Sequence, residues 1–363
     1  MWPKDKTIIL CSEWQGKRFV DNVAQLYSEL YEDPNLRFIW IKKTKYNNKN
    51  FPSSGKQLYA YSLLSIFYHL RAKTFLVGSG KSDVIRAFVT SKSLVINTWH
   101  GPPLKNIYLL DVNERYKNHK FLSKVRKLRN MLYPFLDESP DYILANNNSY
   151  VDIMDAAFEP KIGVLEGPLP RWNWLLDRQN NLAFLEDYDS IVLYSPTFRD
   201  HDLSFFPVTA VELENLSVIL KEKNICLLIS VHPASSFELK SEFVNIYSLD
   251  ALGVYNVYSQ ILPLCNLVIS DVSSLLHDAV AFDIRAVIFF PDYKCYSSSS
   301  RGLLPGYAEI MEASVGLGID QIFDNWLSGD DSNVYVNNHP FFTVSKNNKV
   351  STQVKEILQK LQC

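Results

Sequence analysis

The chain has no Cys-x-x-Cys pair and no cysteine–histidine spacing suited to a metal. Its five cysteines, Cys11, Cys226, Cys265, Cys295 and Cys363, are scattered. That pattern points to reduced thiols rather than a disulfide framework. No acidic cluster marks a metal site, so neither metal nor other cofactor is expected. No run reaches the roughly 18 apolar residues of a membrane span. The longest aromatic-rich stretch, LYAYSLLSIFYHL at 58–70, is too short and is interrupted by polar groups. MWPKDKTIILCSEWQGK at the N-terminus carries only a short apolar run flanked by charges, unlike a secretory signal. A location on the cytosolic side follows as an expectation. G-x-G-x-x-G and G-x-x-x-x-G-K-[ST] are both absent, which argues against the usual dinucleotide site and a P-loop. The formal net charge of -2 gives no global reason to expect nucleic acid. There is no short-period repeat.

What the sequence does have is a globular balance, 47% hydrophobic and 21% charged, over 363 residues. That length exceeds one ordinary core and predicts two domains. Buried-strand patterns at 7–13, 37–43, 74–79, 93–99 and 141–147 alternate with helical patterns at 19–32, 58–71 and 115–132. Prolines and glycines within GVLEGPLPRWNWLLDRQNNLAF (163–184) break the alternation. It then restarts, with strands at 190–198, 224–233, 243–249, 266–274 and 285–292. Helices are expected at about 210–223, 256–265 and 275–283, with a helical tail at 346–363. Such βα alternation predicts mostly parallel sheets covered on both faces. We expect an α/β protein of two Rossmann-like domains facing across a cleft, at 1–166 and 167–345, followed by a C-terminal helix at 346–363.

In such domains ligands bind beyond the carboxyl ends of the strands, where TWHGPPLK, SPTFRD, SVHP and SDVSS fall. His100 directly follows a strand, and Pro102 and Pro103 stiffen the backbone after it. An imidazole there can take a proton from an alcohol and release it; otherwise it is a hydrogen-bonded structural histidine. Trp99, Gly101 and Lys105 flank it as acceptor-side or support residues. Arg199 carries a fork that matches two phosphate oxygens, unless a carboxylate takes it. His232 ends an apolar strand. Asp271, Ser273 and Ser274 precede a helix expected near Leu275, whose first turn would offer an anion site or merely an ordinary cap. Together these groups suit a diphosphate-activated donor and an acceptor hydroxyl.

The same residues carry a family resemblance. TWHGPPLK resembles the TWHGTPLK element of the CDP-glycerol glycerophosphotransferases, which build teichoic acids and related poly(alditol phosphate) polymers. CSEWQGKRFVDNVAQLYSEL (11–30), GPLPRWNWLL (167–176), YSPTFRD (194–200), SVHP (230–233), SDVSSLLHDAVAFDIRAVIFF (270–290) and RGLLPG (301–306) are similar to further family elements, in order, over nearly the whole chain. The resemblance implies a GT-B-like unit that transfers an alditol phosphate from CDP-glycerol or CDP-ribitol. It implies a donor-binding second domain and a lipid-linked or polymeric glycan acceptor. His100 is then the base on the acceptor hydroxyl. His232, Arg199, Thr197, Asp271, Ser273 and Ser274 hold the donor. Asn97, Pro102, Val272, His277 and Trp174 depart from the usual Gln, Thr, aromatic, Phe and Asp.

RYKNHKFLSKVRKLRNMLY (115–133) interleaves cations, among them Lys120, Lys124 and Lys127, with apolar residues at helical spacing. Such a helix can lie on an anionic membrane surface, can guide a polyanionic polymer, or can be a solvated face. Two rival readings remain: a GT-B glycosyltransferase using a nucleotide sugar, and a non-catalytic nucleotide-binding subunit of a polymer-assembly complex.

Overall fold

The computed structural model describes residues 3–44, 51–115, 125, 128–129, 137–176, 182–197, 199, 202–231, 235–239, 243–254, 257–299, 302–304, 306–313, 316–330, 335–337, 339–345 and 349–362. The chain divides into two compact units. The first comprises 1–102, 107–174 and 345–363, and the second 103–106 and 175–344.

The first unit is built on a seven-stranded sheet in the order β3-β2-β1-β4-β5-β6-β7, with every pairing parallel. The strands are β1 (Asp5–Ser12), β2 (Arg37–Lys42), β3 (Gln57–Tyr59), β4 (Ala72–Val77), β5 (Leu94–Asn97), β6 (Tyr142–Ala145) and β7 (Gly163–Glu166). Ile9, Leu10 and Cys11 of the central β1 are fully buried on both faces, which is why this strand reads as an unbroken apolar run. Helix α1 (Asn22–Leu30) follows β1 and begins where the Asp21 carboxylate accepts from Asn22 N. Helix α2 (Leu63–Arg71) is capped by Ser62, which accepts from Ser65 N. Helices α3 (Tyr108–Arg115) and α4 (Val151–Phe158) follow β5 and β6.

β3 and β7 lie where no strand was expected. Both are short, and their alternation is too brief to stand out: β7 buries only Leu165, and β3 buries none of its three residues fully. The tail forms the helix Val350–Gln362, which belongs to the first unit. Val350, Val354 and Leu358 form its buried stripe, and Gln353 Nε2 donates to Glu166 O at 2.8 Å. The stretch 167–174, placed in the second domain by its prolines, also lies with the first unit.

The second unit carries a five-stranded parallel sheet in the order β10-β9-β8-β11-β12. Its strands are β8 (Ser190–Ser195), β9 (Ile225–Ile229), β10 (Ile246–Ser248), β11 (Leu267–Ser270) and β12 (Arg285–Ile288). The helix Ala210–Glu222 starts with a capping box between Thr209 and Glu212. Val192, Leu216, Leu227, Ile269 and Phe323 form part of this unit's core. No helix among the described residues is long and apolar enough to cross a membrane.

Candidate active site

At the end of β5 the chain makes a tight turn through Asn97, Thr98, Trp99, His100 and Gly101. Thr98 N donates to Val77 O of β4 at 2.9 Å, and Trp99 N donates to the Asn97 side chain at 2.9 Å. Trp99 adopts φ 51° and Gly101 φ 133°. Left-handed backbone at a tryptophan is strained and persists only where its surroundings hold it; at Gly101 the lack of a Cβ removes the cost.

Two side chains from elsewhere in the chain hold the turn. Asn22 Nδ2, at the start of α1, donates to Trp99 O at 3.0 Å. Arg171 Nη1 donates to His100 O at 2.7 Å and to Asp21 Oδ1 at 3.0 Å. Arg171 N in turn donates to Asn22 Oδ1 at 3.2 Å. The side chains of Arg171 and Asp21 are 0% and 2% exposed, so this ion pair lies in a low dielectric where each partner needs the other. Glu13 anchors the loop below. Its carboxylate accepts from Val20 N, Asp21 N and Val23 N at 2.9–3.1 Å. Burial, with the Asp21 charge adding to it, raises the Glu13 carboxyl well above the usual range, while the three N–H groups oppose the shift.

His100 as a residue is partly buried, and its Nδ1 is enclosed. The Trp99 ring lies 4.0 Å from the imidazole and the Trp14 ring 5.6 Å, centroid to centroid. Trp14 is itself tied to Asp21 Oδ2 at 3.2 Å. The main chain of His100 is thus fixed, and its ring is flanked by two indoles.

In the second unit, Arg199 lies beyond β8 and Asp271 directly follows β11. The Arg199 fork grips Asp292 through two bonds of 2.8 and 2.7 Å, and its Nη2 lies 2.9 Å from Asp271 Oδ2. Its Nη1 donates to Thr197 O at 2.6 Å. Asp271 Oδ1 accepts from Thr197 N at 2.9 Å and from Val272 N at 2.7 Å. Phe205, Phe290 and Tyr296 surround the guanidinium with ring centroids 5.0–5.4 Å away. Arg199 is wholly buried, and the carboxylates hold its charge more firmly than usual despite desolvation. Thr197, Ser273 and Ser274 remain half-exposed at the same strand ends. Ser273 Oγ accepts from Leu275 N at 3.2 Å and so caps the helix Leu275–Ala281.

Comparison with known proteins places the chain as a whole. Residues 1–349 match the family model for CDP-glycerol:poly(glycerophosphate) glycerophosphotransferase. The chain belongs to this family. A teichoic acid poly(glycerol phosphate) polymerase of Bacillus spizizenii is 24% identical over 320 residues, 83% of this chain and 78% of that protein. A teichoic acid glycerol-phosphate transferase of Staphylococcus aureus is 23% identical over 321 residues, 84% of this chain and 79% of its own length. A histidine-to-asparagine variant of the wall teichoic acid polymerase TagF shares the fold, with a TM-score of 0.74 at 19% identity over 99% of this chain and 90% of that one. The fold of this glycerophosphotransferase family member is therefore GT-B-like.

Several residues singled out in the sequence lie elsewhere than expected. The Arg199 fork, expected to meet phosphate oxygens, closes on Asp292 and Asp271 instead, because a desolvated guanidinium requires carboxylate partners. Asp271 is likewise buried and engaged. The hydroxyl that caps the helix is that of Ser273; Ser274 makes no cap bond. Trp99, His100 and Gly101 share one turn, whereas Lys105 lies in the second unit, where it bridges Leu303 in antiparallel fashion. His232 and the cations Lys120, Lys124 and Lys127 lie outside the described residues. His277, one of the departures from the family pattern, is a core residue packed on Phe342 at 4.4 Å, with the Tyr307 hydroxyl 3.3 Å from its Nε2. The sequence reading gave no role to Asp21, Asn22, Arg171 or Asp292. The signal for Arg171 was present: a lone cation within LPRWNWLL, an otherwise apolar stretch, asks for a buried partner.

Proposed function

We propose that this chain transfers glycerol phosphate from CDP-glycerol to a hydroxyl of a poly(glycerol phosphate) acceptor, with CMP as the leaving group. The observation that carries this reading is the His100 turn. Its carbonyls are held by buried groups, which fixes the backbone that carries the imidazole, as a base that must meet an alcohol in a set pose requires. The acceptor oxygen attacks the phosphorus that bears glycerol, and the bond from that phosphorus to the bridging oxygen breaks. The hydroxyl proton passes to His100, and CMP departs with the bridging oxygen. Thr197, Ser273 and Ser274 are the accessible groups that meet the donor's phosphates. Arg199 and Asp271 act behind them by fixing the loops after β8 and β11. The family resemblance adds His232 to the donor side.

The glycerol donor is favoured over CDP-ribitol by the family's own description. Incubating the purified chain with CDP-glycerol, CDP-ribitol and UDP-sugars, scored by release of CMP or UDP and by product mass, tests the reading. CMP release from CDP-glycerol with acceptor extension supports it. UDP release would favour the glycosyltransferase, and donor binding without turnover the non-catalytic subunit.

We further propose that the protein docks on an anionic membrane. Tyr61, Leu63, Leu64 and Phe67, at the start of α2, are 59%, 87%, 48% and 41% exposed. No acidic residue occurs between Asp33 and Asp83, a span that includes Arg37, Lys56, Arg71 and Lys73. Of the basic stretch 115–132, the described Val125 and Leu128 are also exposed. Arg37 and Arg71 share Asp5 as a partner, and an exposed apolar face beside Lys56 and Lys73 suits a lipid surface. Co-sedimentation with vesicles should increase with anionic lipid, fall with salt, and weaken in Leu63→Glu. Salt-independent binding would contradict it.

A further inference from the structure

Beyond β1 and Glu13, the residues Trp14, Gln15 and Gly16 adopt φ of 49°, 55° and 76° in succession. Left-handed backbone costs little at Gly16, where a Cβ would also meet Lys43 Cγ at 2.8 Å. At a tryptophan and a glutamine it is strained, and it persists only where the surroundings impose it. Here they do. Gln15 N donates to Asp83 Oδ1 at 2.7 Å, Lys43 N to Gly16 O at 2.7 Å, and Lys17 N to Trp14 O at 3.1 Å. The Glu13 carboxylate and the bond from Trp14 Nε1 to Asp21 fix the other side of the loop. Strain of this kind gathers at functional sites. What the loop projects is the pair Lys17 and Arg18, both exposed.

Charge is sorted across this loop. The three carboxylates that build it, Glu13, Asp21 and Asp83, are 1%, 1% and 0% exposed. They are taken up by backbone N–H groups and Arg171. Neither Lys17 nor Arg18 forms an ion pair among the described residues. The loop thus keeps its anions inside and turns its cations outward, a locally positive face on a chain of net charge -2. The loop lies at the same end of the sheet as His100, since β1 and β5 both pair in parallel with β4. Its Trp14 ring is the one 5.6 Å from the His100 ring. An ammonium and a planar guanidinium at neighbouring positions suit phosphate oxygens, and a rigid loop would hold those phosphates in a set relation to the base. We propose that Lys17 and Arg18 bind the phosphodiesters of the acceptor chain beside its reacting end. This rests on the transfer reaction proposed above and adds to it an acceptor subsite in the first unit.

The test is steady-state CMP release from CDP-glycerol with a synthetic glycerol phosphate hexamer as the varied acceptor, for wild type and the double variant Lys17→Gln, Arg18→Gln. Both side chains are exposed, so the variant should fold. The expected result is a hexamer KM raised by roughly tenfold at low salt, the loss of two exposed charge contacts, with the KM for CDP-glycerol unchanged. Added salt should raise the wild-type hexamer KM and move that of the variant less. The exchange Lys17→Arg with Arg18→Lys should keep the wild-type value; failure of that rescue would show that charge is not what acts. An unchanged hexamer KM overturns the proposal and leaves the reaction standing, and a raised KM for CDP-glycerol instead would assign the pair to the donor. No CMP release by the wild type overturns both. Co-sedimentation with anionic vesicles separates the other source of phosphate: binding lost in the double variant while the hexamer KM holds would assign the cations to lipid and contradict the proposal.

Discussion

Arg171 and Arg199 invite comparison. Each is fully buried, each pairs with aspartate, and each donates to a main-chain carbonyl beside a strand end. Arg171 has Asp21 as its carboxylate partner and donates from the same nitrogen to His100 O, so part of its hydrogen-bonding capacity goes to the turn that bears the base. Arg199 faces two carboxylates, Asp271 and Asp292, in a cage of aromatic rings, and its remaining donor closes on Thr197 O. The first arginine therefore aims a reactive side chain; the second ties two loops together. Charge type alone does not distinguish these roles. What distinguishes them is what lies on the carbonyl each one meets.

The largest expected effect is on Arg199→Ala. Two buried carboxylates would lose their cation, a change that costs about 3–5 kcal/mol in comparable sites. Hydrogen exchange should show the loss in the second unit, around β8 and β11, with the first unit unaffected. Equal loss of protection in the sheets of the two units would erase the distinction drawn here.

Acid separates the units by another route. Burial lowers the His69 imidazole to about 4; it is fixed as an acceptor for Ile85 N at 3.2 Å while its Nδ1 lies 2.7 Å from Ser65 O. A histidine whose folded value is depressed contributes no penalty above its ordinary value near 6.5. It favours unfolding as pH falls from there towards 4. At pH 5 the loss should be about 2 kcal/mol. Asp83 acts oppositely: burial raises its carboxyl to about 6, so it takes a proton in the folded state and opposes the loss between about 6 and 3.8. Denaturant titrations from pH 7.5 to 5 should show a slope in wild type that flattens or reverses in His69→Gln. Parallel slopes would contradict the assignment.

The finest test is Arg171→Lys. The charge for Asp21 survives, but the planar fork does not. Folding should be retained, while turnover falls by roughly tenfold, equivalent to about 1.4 kcal/mol, with donor affinity unchanged. Unaltered turnover would show that the His100 carbonyl needs no clamp.

Much of this molecule could be read in the sequence. β1, β2, β4, β8, β9 and β11 are apolar runs bounded by polar or turn residues, and that pattern survives in a parallel sheet because both faces are covered. β3 and β7 escaped because edge strands of three or four residues bury too little to create a pattern. His100 was legible through the stiff Gly-Pro-Pro that follows it. The partners that hold it were not: Asn22 and Arg171 are 149 positions apart, and only the folded chain brings them to one turn. Arg199 was misjudged for a related reason. Its partner Asp292 lies 93 positions away, so the strand-end pattern suggested an open fork where burial had already filled it.

The central claim is that a clamped backbone presents His100 as the base in glycerol phosphate transfer. It is tested most directly by CMP release from CDP-glycerol, with acceptor present, in His100→Ala against wild type. Donor affinity and hydrogen exchange at the β5 turn should be measured on the same preparations. The account predicts turnover lower by on the order of 10²–10⁴ with donor affinity and exchange preserved. A folded variant that releases CMP at the wild-type rate would contradict it.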